Sequence, residues 1–97
     1  MTTTRTEADP ADIEAFVGRV MGDTSAWMVT TLAMIGDRLG LWAALADDHS
    51  STSAELAQRT GTTDRYVREW LSSMAAHGYV TYDPATERFA LPAAHAP

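Results

Sequence analysis

The stretch from Thr52 to Leu91, TSAELAQRTGTTDRYVREWLSSMAAHGYVTYDPATERFAL, leaves this chain few folds to choose from. Thr52 and Glu55 have capping-box spacing, in which the hydroxyl accepts from the glutamate's amide and the carboxylate reaches back to the threonine's. Gly61 is the residue type that closes such a helix in the left-handed region. A second helix opens near Asp64 and ends at Gly78, with Val67, Trp70, Leu71, Met74 and Ala75 three and four apart and so on one face. Val80, Tyr82, Phe89 and Leu91 alternate with other residues on either side of Asp83-Pro84. That pattern predicts two short strands, with these four side chains inward and the DPATE turn as a tip. Helix, tight turn, helix and hairpin is the order of a winged helix-turn-helix.

The residues ahead of it read as further helices. Residues 1–8 are polar and Thr-rich, with too little apolar surface to offset chain entropy, and read as a disordered tail. Asp9 caps a first helix, Pro10 takes the position where a missing N–H costs nothing, and Asp12 and Glu14 complement the dipole. Ile13, Phe16, Val17, Val20 and Met21 form its apolar stripe. Gly22 breaks the pattern, and Asp23 or Thr24 restarts it as a second helix to about Leu39. On that helix Trp27, Met28, Val29, Leu32, Ala33, Met34, Ile35 and Leu39 occupy more than one face. One face can pack on the winged module, and the other has no evident cover in so short a chain, the mark of an interface. Leu41 to Ala46 continues as a short helix carrying Trp42 and Leu45 to the core. The expected fold class is mainly α with a small β-hairpin: a winged helix-turn-helix preceded by two or three additional helices.

Charge argues about partners. Thirteen acidic residues face seven arginines, a net charge of −6, so the summed field repels polyphosphate unless a local basic face overrides it. Residues 1–49 carry three Arg and eight acids, and residues 50–97 four Arg and five acids, which leaves the winged half nearly neutral rather than basic. The absence of cysteine excludes disulfides, thiolate metal sites and thiol nucleophiles. No signal-like or membrane-spanning apolar run is present, and the chain reads as cytoplasmic with no membrane partner.

Arg65 and Arg68 on the second helix, with Arg88 on the wing, are the candidates for DNA contact in a transcriptional regulator. Asp64, Glu69, Asp83 and Glu87 beside them disfavour nucleic acid. His49, His77 and His95 lie far apart without metal-site spacing, and the Asp47-Asp48 pair reads as a solvated loop, so no catalytic, metal or cofactor residue is assigned. Trp27, Met28, Thr31, Met34 and Ile35 are the candidates for a dimer or substrate-side face, or for the binding surface of a free-standing accessory protein.

GDRLGLWAAL at Gly36–Leu45 and ELAQRTGTTDRYVREWLSSMAAHGYVTYDPATERFALP at Glu55–Pro92 closely resemble the N-terminal winged-helix domain of bacterial class I S-adenosylmethionine-dependent methyltransferases. The resemblance is most specific at RYVREWL and GYVTYDPATERF, and it covers about the last two thirds of the chain. It implies a module that dimerises and covers the acceptor cleft of a small-molecule methyltransferase, while S-adenosylmethionine binds a separate Rossmann-like domain. The implied division is residues 9–48 as dimerisation helices, 49–92 as the winged module, and 93–97 as a linker to a catalytic domain absent from this chain. The expectation is a homodimer, with a small-molecule substrate as a further partner.

Overall fold

The computed structural model describes residues 7–47 and 50–96. Four helices run in order, α1 Pro10–Arg38, α2 Leu41–Asp47, α3 Ser53–Thr60 and α4 Asp64–Ala76. A hairpin of β1 Thr81–Asp83 and β2 Arg88–Ala90 follows, then a 3-10 turn at Ala93–His95. Two helices therefore precede the winged module, where the sequence allowed two or three.

The difference lies at Gly22. α1 runs unbroken for 29 residues, capped by the Asp9 side chain accepting from the Ala11 amide. A single glycine costs a helix interior about 1 kcal/mol, which a flanked, propagating helix absorbs. Thr24, which with Asp23 was the expected start of a second helix, instead donates its hydroxyl to the Val20 carbonyl at 3.0 Å, the bond of a residue inside a helix. Thr30 and Thr31 do the same toward Ala26 and Trp27.

The winged module follows its local signals closely. Both halves of the Thr52–Glu55 capping box are made, and Gly61 ends α3 with φ 69° in the left-handed region. The hairpin pairs Thr81 with Ala90, Tyr82 with Phe89 and Asp83 with Arg88. Ser51 bridges Phe89 from the other side, so β2 has backbone partners on both edges. Of the four strand residues expected inward, Val80 and Phe89 are buried, Leu91 is half-buried, and Tyr82 is exposed. Its ring lies on that of Phe89 at 4.6 Å instead of entering the core.

Leu41, Leu45, Leu56, Leu71 and Met74 are sealed from solvent, with Val67, Trp70, Val80 and Phe89 around them. α1 contributes only Val29 and, half-buried, Leu32. The part of α1 ahead of Val29 is exposed throughout, and the molecule measures 68 × 27 × 26 Å with a radius of gyration of 19.2 Å. A compact chain of this length would have one of about 12–13 Å.

Candidate functional site

Reading α1 as one helix aligns what the sequence split in two. Ile13, Phe16, Val17, Val20, Met21, Trp27, Met28, Met34, Ile35 and Leu39 are all 44–69% exposed. At about 100° per residue they fall within about 140° of one another, a single stripe along the whole helix. Val29, Leu32 and Gly36 lie outside that arc and turn toward the module. Trp27, Met28, Met34 and Ile35 of the expected face lie on the stripe, and Thr31 sits half-buried among them. The first-helix residues, assigned in the sequence to a separate element, extend the same surface.

The C-terminal end of α1 is held by two tryptophans. Trp42 of α2 donates its indole N–H to the Ala33 carbonyl at 2.9 Å, and Trp70 of α4 donates to the Leu32 carbonyl at 2.8 Å. The two rings meet edge to face at 4.8 Å. Gly36 makes room for them: a methyl group there would lie 2.2 Å from Trp70 Cζ2 and 3.1 Å from Trp42 Nε1. Beside this clamp a groove of about 600 Å³, bordered by Leu32, Ile35, Leu39 and Tyr66, carries the apolar stripe onto α4. Tyr66 was not anticipated, because it stands among the charged residues of α4 and its apolar neighbours are on α1.

The arginines considered for DNA are engaged with carboxylates. Arg88 makes a two-pronged pair with Glu55 at 2.9 and 3.1 Å and also donates to the Ser50 carbonyl at 3.2 Å. Arg68 pairs with Asp64 at 3.3 Å, and Arg65 lies 4.0 Å from Glu69. The last two pairs are solvent-exposed and weak, but each sets a negative charge beside the cation a phosphate would need.

The histidines do not converge. Nδ1 of His77 is 2.8 Å from the Ser73 carbonyl and its Nε2 is 3.2 Å from the Ser25 hydroxyl, while His95 Nδ1 is 2.8 Å from the Tyr79 carbonyl. His49 and Asp48 lie outside the described residues. Among the described residues no three His, Asp or Glu groups gather as a metal site. Nothing in them fits S-adenosylmethionine either: the sheet has two strands, and each glycine lies inside a helix or just after one. Among the described residues no single helix is long and apolar enough to cross a membrane.

The Rv2258c-like winged HTH domain matches residues 27–97, and the chain belongs to that family. No curated protein matches it. Among solved structures it is similar to a protein assigned as an O-methyltransferase from Nostoc punctiforme PCC 73102, at TM-score 0.70 and 19% identity over 94% of this chain and 25% of that one. It is also similar to the mitomycin 7-O-methyltransferase MmcR, at TM-score 0.67 and 24% identity over 89% of this chain and 24% of the other. PigF, solved with SAH, aligns at TM-score 0.63 and 26% identity over 92% of this chain and 26% of that protein. The chain thus spans about a quarter of the length of the structures it matches.

Proposed function

We propose that this chain is the dimerisation and cleft-covering domain of an S-adenosylmethionine-dependent small-molecule methyltransferase, acting in the cytoplasm, and that methyl transfer belongs to a separate Rossmann-like domain. The observation that carries the reading is the uncovered stripe on α1. Ten apolar side chains exposed by about half amount to on the order of 1,000 Å² per chain, against roughly 800 Å² per partner in a standard interface. A second copy laid along α1 would cover it. The ends of the two stripes, at Trp27, Met28, Thr31, Met34 and Ile35, would then wall the acceptor site. The similarity to methyltransferase structures supports the parent activity.

A duplex-reading role draws less support, because Arg65, Arg68 and Arg88 are each paired and the net charge is −6.

The test uses Phe16→Asp, which lies on the part of α1 beyond the core and so leaves the winged module intact. Light scattering is expected to give a dimer for the parent chain at micromolar concentration and a monomer for the variant, with unchanged helicity by circular dichroism. Ile35→Asp should act the same way nearer the clamp. A parent chain that stays monomeric at high micromolar concentration would refute the reading, as would variants that associate normally.

A further inference from the structure

A cleft of about 760 Å³ opens on the opposite side of the Trp42–Trp70 clamp from the groove beside Ile35. Alanines 33, 43 and 46 leave the space, and Trp42, Tyr79 and Leu91 supply its apolar walls. Its volume is that of a small-molecule site. The Trp42 and Tyr79 rings stand 6.4 Å apart at 37° to each other. The lining side chains are pre-set by hydrogen bonds: Trp42 to the Ala33 carbonyl, His95 to the Tyr79 carbonyl, and His77 to the Ser73 carbonyl.

Those bonds fix the polarity of the cleft. A carbonyl only accepts, so in each neutral imidazole Nδ1 carries the proton and Nε2 presents a lone pair. His77 Nε2 then accepts from Ser25, and His95 Nε2 is left as an acceptor. The Asp37 carboxylate, also on the lining, has no side-chain partner among the described residues. Among the described residues neither Lys nor Arg lines the cleft. Aromatic walls, an unpaired carboxylate and a lone pair, in a chain of net charge −6, select against anions and favour a positive group.

We infer that this cleft is a binding site for a planar organic cation, a flat aromatic body carrying a protonated amine, with the ring against Trp42 and Tyr79 and the ammonium on Asp37 and His95. The lining comes from α1, α2, the winged module and the turn after it in one chain, and shares no residue with the apolar stripe on α1.

The probes are 2-naphthylmethylamine and 2-naphthoate, which share a ring system and differ in charge. The readout is the three indole N–H resonances of the 97-residue chain in proton–nitrogen correlation spectra, assigned by Trp→Phe variants. The amine is expected to shift the Trp42 resonance saturably at submillimolar concentration, with Trp27 on α1 unmoved, and the naphthoate to do so at least tenfold more weakly. Asp37→Asn removes only an exposed charge and should weaken the amine about tenfold or more, the loss expected for a hydrogen bond to a charged group. Equal binding of both probes would overturn the inference. So would shifts confined to Trp27, or an amine affinity unaltered by Asp37→Asn.

Discussion

Gly36→Ala is the substitution on which the clamp stands or falls. In an exposed helix interior, glycine to alanine gains up to about 1 kcal/mol of helix propensity. At Gly36 the new methyl would lie 2.2 and 2.8 Å from two ring carbons of Trp70, which is buried and rigid, and 3.1 Å from the Trp42 indole nitrogen. Relieving that overlap moves α1 off the ring or the ring out of its place, an overpacking cost of about 1–3 kcal/mol. Displacement also breaks the Trp70 bond to the Leu32 carbonyl and strains that of Trp42 to Ala33, each worth about 1 kcal/mol net. The sum, less the propensity gain, is a loss of about 2–3 kcal/mol, equivalent to a Tm drop of roughly 10 °C or more in a domain of this size. Gly18→Ala is the matched control, since nothing lies within 4 Å of a methyl there, and it should gain up to about 1 kcal/mol. Urea titration followed by circular dichroism, at a concentration where the chain is monomeric, measures both. Gly36→Ala as stable as the parent, or both variants shifting in the same direction, would refute the reasoning.

Two further outcomes follow from the same geometry. Arg88→Ala removes the paired bonds to Glu55 and the bond to the Ser50 carbonyl; since both side chains are about two-fifths exposed, the expected loss is only about 1 kcal/mol in urea titration, and an unchanged midpoint would show that the wing is not held this way. Gly22→Pro breaks α1 in its middle at about 3 kcal/mol of local helix stability, so dimer affinity in light scattering should fall at least tenfold while the module's melting, followed below the association range, stays put; undiminished association would deny the continuous helix its role.

The winged half was legible because its determinants are local. A capping box, a left-handed glycine and side chains three and four apart act within a few residues, and Thr52, Glu55, Gly61 and Trp70 perform as their spacing implies. α1 was misread at Gly22 because the competing effects there are of similar size. A glycine penalty of about 1 kcal/mol looks like a stop until the cooperativity of a long helix is set against it. Alternation gives Tyr82 the face it shares with its cross-strand partner Phe89, but not its exposure, which depends on what packs over that face. The Trp70 arm of the clamp was beyond local reading, since its bond to Leu32 spans 38 residues, and so was the pairing of Arg88 with Glu55 across 33. The candidate face was legible in composition but not in extent. Its distal half emerges only when residues on both sides of Gly22 share one helical phase.

The continuity of α1 also bears on what can cover that face. Had the helix broken at Gly22, its first half could have folded back onto the module and hidden Phe16 and Met21 within the same chain. Unbroken, the 13 residues from Pro10 to Gly22 extend about 20 Å at 1.5 Å per residue, in line with a C-terminal half that two indoles hold against the core. A rigid rod anchored at one end cannot bury its own free end. The apolar side chains there must meet another chain or another domain, or stay in water at a cost of about 25 cal/mol for each Å². The clamp at Leu32 and Ala33 fixes the angle at which that surface is offered, so Trp42 of α2, Trp70 of the winged module and the stripe on α1 act as one device although they share no residue.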